Sequence, residues 1–498
     1  MIQLELQFQN TTFPCLKWLS REVQNQEQTA EIKLPQSMPE IGKILASWGQ
    51  WILRSKQWRN DETVISGGVM TWTLYQPEDG SSADIVEGWI PFQLKFPLPD
   101  TQREGIIRNE CHIRNVDARQ ISDRKIMVRA NISMKAEILE PIETDIFVAE
   151  NLPDEIQFLK RTYPVTVPKE AGEKTFSIDE DLVVEPVPEK ILRYSLDPAI
   201  EEYRTIGDRM VFRGKGTLRI LYKDDSGSIR SYQTELPFSQ FADLDHSYPE
   251  DAQISLIPAV TELAAELDSE DRIRVKAGFT VQYLVFDRNM LEVVEDAYSP
   301  KHQMTLHFSQ LSLPAVLDMR QESRNVTQLL SNVSGEVLDI CNFVDHPEMT
   351  RNSQGIVVEY PVTCQVLFSN PDGDLQCELL RISDEFTFLA DDDALLMPSI
   401  SSVQTTLSKD VEGMKFMTAA IMDMNTVGEL SVPVVTGLEI GEAVETDPGR
   451  PSVVLRAVGS ETLWDIAKQW GSTVSAILAA NHLQTEPEEG QLLLIPVP

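Results

Sequence analysis

Apolar residues recur at every second position along most of this chain. Thr217-Leu218-Arg219-Ile220-Leu221-Tyr222 alternates, turns at Asp224-Asp225-Ser226-Gly227 and returns through Ile229-Arg230-Ser231-Tyr232. That pattern predicts a β-hairpin with one buried face. Ile126 to Ser133, Ile273 to Val281 and Met414 to Ala420 predict further strands in the same way. Helical periodicity is weak up to residue 440, apart from a short helical turn expected near Lys43 to Trp51. The pattern changes after Pro451. Leu463, Ile466, Ala467 and Trp470 fall at i, i+3, i+4 and i+7, one stripe of a helix. Ser460 or Glu461 stands where an N-cap belongs, and Gly471 follows the last apolar position as a C-terminal glycine should. Thr473 is placed to cap a second helix through Val474, Ile477 and Leu478, ending near Asn481. Val453-Val454-Leu455 precedes this pair as a strand, and Leu492-Leu493-Leu494-Ile495 follows it, opened by Gly490 and stopped by Pro496. The order is strand, helix, helix, strand.

The strand-rich part repeats itself. Leu74-Tyr75-Gln76-Pro77-Glu78-Asp79-Gly80 is matched by Leu221-Tyr222-Lys223-Asp224-Asp225-Ser226-Gly227 and by Leu367-Phe368-Ser369-Asn370-Pro371-Asp372-Gly373. Tyr222 stands 147 residues after Tyr75, and Phe368 stands 146 after Tyr222. Ile44-Leu45, Ile191-Leu192 and Val337-Leu338 keep the same spacing. Ser122 to Ile126, Glu270 to Ile273 and Val411 to Met414 follow it more loosely. Landmarks holding one register indicate tandem copies. The expected fold is mainly β: three tandem antiparallel β-sandwich-like repeats over residues 1–150, 151–300 and 301–440. An acidic linker (441–450) and a small α+β (βααβ) module (451–498) complete the chain.

Charge narrows the partners. The 498 residues carry 78 acidic against 43 basic side chains, a net charge of −35. Nucleic acid is disfavoured, because phosphate neutralisation by Lys and Arg supplies most of that affinity. Anionic membrane surfaces are disfavoured for the same reason. Met1 to Phe8 alternates like a strand and has neither a basic nor an apolar leader segment, and no stretch has 18 uninterrupted apolar residues. No membrane insertion and a cytoplasmic location are therefore expected. The five cysteines, Cys15, Cys111, Cys341, Cys364 and Cys377, are odd in number and scattered, which fits reduced thiols. Cys364 and Cys377 flank a turn and are expected nearly opposite each other on a hairpin.

Catalytic constellations are missing. Gly207 to Thr217 resembles a phosphate-binding loop, but six residues separate Gly207 and Gly214 where four are needed. His112, His246, His302, His307, His346 and His482 show no HExxH spacing; His302 and His307 fall on opposite faces of a strand, which is poor for a shared metal. Asp391-Asp392-Asp393 reads as a solvated turn. No catalytic residue, cofactor or metal site is expected.

The segment from Pro451 to Pro498 resembles a LysM module. In that family the ligand groove lies between the first strand–helix loop and the second helix–strand loop. The resemblance places it at Gly459, Ser460, Glu461 and Thr462, and at Asn481, His482, Leu483, Gln484 and Thr485. It implies binding of peptidoglycan or another N-acetylglucosamine polymer. Two departures bear on this. The usual Gly-Asp-Thr is Ser460-Glu461-Thr462, and the second loop carries Glu486, Glu488 and Glu489. Three carboxylates make a poor wall for sugar faces and repel the carboxylates of stem peptides. Trp464 and Trp470 are expected to pack the small core. His482 is expected as an exposed loop residue, with a pH-responsive partner contact as the functional alternative.

Repeated β-domains followed by a LysM module resemble the SPOCS-repeat coat-morphogenesis proteins of endospore-forming bacteria. That resemblance implies a non-enzymatic scaffold in the mother-cell cytoplasm, at the forespore surface. Its LysM end would dock on a stage IV sporulation ATPase-like coat protein, and its repeats on other coat proteins. The alternative is a peptidoglycan-binding protein with the repeats as spacers.

Overall fold

The computed structural model describes residues 9–59, 61–98, 104–148, 155–268, 272–330, 333, 335–390, 394–410, 413–444, 449 and 451–497. The strand expected over Met1 to Phe8, the Asp391 to Asp393 turn, and positions 270–271, 411–412, 445–448 and 450 lie outside the described residues. The rest is mainly β, with a small α+β unit at the C-terminal end.

The first six strands are β1 (Gln9–Lys33), β2 (Ile41–Trp58), β3 (Glu62–Pro77), β4 (Asp84–Pro97), β5 (Ile106–Ser122) and β6 (Lys125–Val148). They build two antiparallel sheets, β1-β6-β5 and β2-β3-β4. Next come β7 (Gln157–Leu182), β8 (Pro188–Asp224), β9 (Ile229–Tyr248), β10 (Gln253–Leu267) and β11 (Ile273–Tyr298), paired as β7-β11-β10 and β8-β9. The third group is β12 (His302–Leu330), β13 (Glu336–Val344), β14 (Glu348–Asn352), β15 (Gly355–Ser369), β16 (Leu375–Phe388), β17 (Leu395–Asp410) and β18 (Gly413–Ala443). Its sheets are β12-β18-β17 and one centred on β15 with β13, β14 and β16 alongside. The wiring is the same each time. The first, last and penultimate strands of a group share one sheet, and the middle strands form the other. β18 runs into the stretch expected as linker.

Alternation explains the half-exposed strands. In β4, Ile90, Phe92, Leu94 and Phe96 are buried while Trp89, Pro91, Gln93 and Lys95 are exposed. It fails at Lys43 to Trp51, where the expected helical turn is strand β2. Here both faces are covered: Trp48 and Ile52 enter one core, Trp51 and Leu53 another. Register shifts near Ile41, Ile44 and Leu53 switch which face a residue joins. Burial on two sides with bulges leaves apolar residues at i, i+3 and i+4, which imitates a helix.

The repeated turn has one geometry. Gly80, Gly227 and Gly373 have φ of +75°, +78° and +90°. Each donates its N–H to the carbonyl three residues back, on Pro77, Asp224 or Asn370. Glycine serves here because left-handed backbone is costly for residues with a Cβ.

Positions one repeat apart also meet in space. Leu74, Leu221 and Leu367 share a buried cluster with Trp48, Leu196 and Leu338. Gln50 accepts from the Leu196 N–H at 3.0 Å, and Arg193 pairs with Asp339. These contacts join positions 146 residues apart in successive strand groups. Polar side chains are buried at the joints. Arg108 donates to Glu137 at 2.7 Å and to Ser255 Oγ at 2.9 Å, and Gln282 brackets the backbone of Asn109 at 2.8 and 2.9 Å.

The expected opposition of Cys364 and Cys377 is corrected. The β15–β16 register sets Cys364 against Leu380 and Cys377 against Leu367. Cys364 faces one core and Cys377 packs against another, so the two lie on opposite sides of the sheet. All five cysteines are free, and burial pushes the Cys15, Cys341 and Cys377 thiols up to about 11 and Cys364 to about 12.

Candidate functional site

The C-terminal unit consists of β19 (Val453–Ala457), α1 (Leu463–Trp470), α2 (Val474–Asn481) and β20 (Leu492–Pro496). β19 and β20 pair antiparallel, and Leu463, Ile466, Ala467, Ile477, Leu493 and Ile495 fill the core beneath the helices. The N-cap of α1 is Thr462, a correction to Ser460 or Glu461. Thr462 Oγ1 accepts from the Asp465 N–H at 3.3 Å, while Asp465 Oδ2 accepts from the Thr462 N–H at 3.0 Å. Only Thr462 stands three residues before Asp465, as this reciprocal box requires. Glu461 is drawn instead to Arg456. Gly471 ends α1 in the left-handed conformation at φ +60°, and Thr473 caps α2 through the Ala476 N–H at 3.1 Å.

The candidate groove residues divide by what already holds them. Gly459, Glu461, Asn481 and Leu483 are half-buried. A Cβ on Gly459 would meet only the end of the Glu461 side chain, Oε2 at 2.8 Å, which can swing aside. Asn481 donates to the Ile477 and Leu494 carbonyls at 2.8 and 2.7 Å and accepts from the Leu494 N–H at 2.7 Å, tying α2 to β20. Leu483 packs on the core of the unit. Ser460, Thr462, His482, Gln484 and Thr485 are exposed. His482 ends α2 at φ +55° with its ring outward.

Two contacts were not legible from spacing. Glu486 Oε2 accepts from the Leu463 N–H at 3.0 Å, so a second-loop carboxylate sits on the N-terminus of α1. The negative group meets the positive helix end, which favours the contact. It also ties the second loop to the start of α1. The second contact is with the end of β11. Trp464 Nε1 donates to Asp296 Oδ2 at 2.8 Å, and Lys468 Nζ reaches both Asp296 oxygens at 2.7 Å. The Tyr298 ring stands edge-on to Trp464 at 4.8 Å, and its hydroxyl donates to the Ser472 carbonyl at 2.9 Å. Burial, with Asp296 nearby, pushes the Tyr298 phenol up to about 12. Trp464 and Trp470 are thus packing residues, and Trp464 also fastens the unit to the β-rich body.

Gly207 to Thr217, the phosphate-loop look-alike, lies inside β8. No helix among the described residues is long and apolar enough to cross a membrane. No curated protein and no solved structure matches the chain. Two family models do. The SipL, SPOCS domain matches residues 188–268, which span β8, β9 and β10, and the LysM domain matches residues 460–496. Both are binding and interaction modules rather than catalytic ones, and the pair fits a sporulation-related protein with a peptidoglycan-binding type of end. The chain therefore carries a SPOCS domain over residues 188–268 and a C-terminal LysM domain over residues 460–496.

Proposed function

We propose that this protein is a non-enzymatic scaffold of the spore coat, acting in the mother-cell cytoplasm at the forespore surface. Three β-repeats, 1–150, 151–300 and 301–440, form the body, and the LysM domain docks on a stage IV sporulation ATPase-like coat protein. The observation that carries this reading is Glu486 on the Leu463 N–H. It takes up the Leu463 N–H with a carboxylate, so this donor is not free for a sugar acetamido group. Glu488 and Glu489 are exposed beside it and repel the acids of stem peptides. A protein partner with basic side chains meets the same surface favourably. Ser460, Thr462, His482, Gln484 and Thr485 form the contact rim, while Gly459, Glu461, Asn481 and Leu483 shape it.

The second reading, a peptidoglycan-binding protein with the repeats as spacers, is favoured by the LysM match itself. One experiment separates the two. The full chain is incubated with insoluble peptidoglycan and, in parallel, with the immobilised sporulation ATPase. Retention on the ATPase, weakened by Gln484→Arg with Thr485→Arg, is the expected result. Sedimentation with peptidoglycan and no ATPase binding overturns it in favour of the second reading.

A further inference from the structure

A second polar cluster lies far from the LysM domain, where the first and third strand groups meet. Glu110 and His112 are two positions apart on β5 and so project from the same face. His346 comes from the segment between β13 and β14. His112 Nε2 lies 2.8 Å from Glu110 Oε1, and the two imidazole rings stand edge-on with centroids 4.6 Å apart. One donor atom from each of the three side chains falls within 4.8 Å of the others. The cluster is sheltered: His346 is 5% exposed and Glu110 7%. Both His346 ring nitrogens are buried, with no side-chain partner and only the Glu110 backbone within polar reach. Buried polar atoms in folded proteins are normally satisfied, so an imidazole left this way points to a missing partner.

We propose that Glu110, His112 and His346 bind a divalent transition-metal ion of the Zn2+ class. Two imidazoles and one carboxylate are donors for Zn2+, Co2+ or Ni2+, whereas Mg2+ and Ca2+ take oxygen ligands. Bonds of about 2.0–2.2 Å around a tetrahedral ion set donors roughly 3.4 Å apart, and the three donors here already fall within 4.8 Å of one another. The surroundings already orient the ligands. Glu110 Oε2 accepts from Ser399 Oγ at 2.5 Å and lies 3.8 Å from the Lys135 ammonium, which leaves Oε1 turned toward His112. The His346 backbone N–H donates to Asp345 Oδ1 at 2.9 Å, and Arg114 holds Asp345 Oδ2 at 2.5 Å. The Ser399 contact to the Glu110 carboxylate is of the kind that orients a ligand in metal sites, while the Asp345 and Arg114 contacts hold the His346 backbone. Lys135 also lies 3.8 Å from Glu137, so its charge is shared between two carboxylates. A bound ion links β5 to the β13–β14 connection, and its remaining coordination position takes water.

The test uses the full chain stripped with a chelator and titrated with ZnCl2 by calorimetry, with a parallel Co2+ titration followed by visible absorption. One Zn2+ per chain is expected, unaffected by excess Mg2+ and raising the unfolding temperature. His112→Ala and His346→Ala should each weaken it by more than about tenfold. His307→Ala, which removes an exposed histidine beside Glu439, should leave it unchanged. Equal Zn2+ binding by the wild type and both cluster variants overturns the proposal. So does wild-type protein whose Co2+ spectrum matches that of aqueous Co2+, a readout that needs no variant to fold.

Discussion

Leu463 is 1% exposed, at the point where α1 meets the strands of a unit with few core residues. Leu463→Ala removes a buried branched side chain from a core with little room to collapse. It should destabilise the LysM domain by about 2–5 kcal/mol, read as a lowered thermal transition in tryptophan fluorescence. Thr462→Ala, which deletes the cap, should cost about 1 kcal/mol by the same measurement. Asp224 gives a residue-level pH signature. Hydrogen bonds from Ser226, with Arg230 and the turn backbone adding to them, hold its carboxyl at about 2 against an ordinary 3.8. Because the folded value is depressed, its contribution is complete above 3.8 and is lost as pH falls through about 2. The difference in unfolding midpoint between wild type and Asp224→Asn should therefore shrink as pH is lowered across that window.

Elements were legible where one face is wet. The β8–β9 hairpin and the helices α1 and α2 stand in the sequence as local chemistry, and the turn glycines do as well, whereas the α1 cap lies one or two residues later than the spacing places it. Gly227→Ala should cost about 1–2 kcal/mol in urea unfolding, since φ +78° is strained for a residue with a Cβ. Nothing lies within 4 Å of the added Cβ, so the cost is purely conformational. Legibility failed where both faces are covered. β2 looked helical because its tryptophans serve two cores. The relation of Cys364 to Cys377 failed because one face or the other depends on strand register, which the turn alone did not fix. Of the LysM loops, the positions were legible but the contact of Glu486 with α1 was not. Its carboxylate reads as a repulsive rim until the fold brings the Leu463 N–H beneath it.

The whole molecule rests on contacts that no local pattern announces. Arg193 and Asp339 form an ion pair in which each side chain is 4% exposed. Asp339→Ala leaves the guanidinium buried and unpaired and should cost about 3–5 kcal/mol in urea unfolding, while Arg193→Met with Asp339→Leu should recover most of that. Asp296 plays the corresponding part for the LysM domain. Asp296→Ala removes the acceptor for both Trp464 and Lys468, and should raise amide hydrogen exchange in α1 without changing exchange in β15.

Tyr298 closes β11, and β12 begins at His302, so the LysM domain is fastened to a corner of the β-rich body. A pull on this domain reaches that corner through the Asp296 and Tyr298 contacts. The pull then runs along β11 and β12, which are laddered to β7 and β18 over nearly their whole lengths. Force along such strands is resisted by many rungs in parallel, whereas a tail pulled from its tip opens them one by one. The clasp at Asp296 and Tyr298 thus turns a terminal recognition domain into a mechanically braced anchor point.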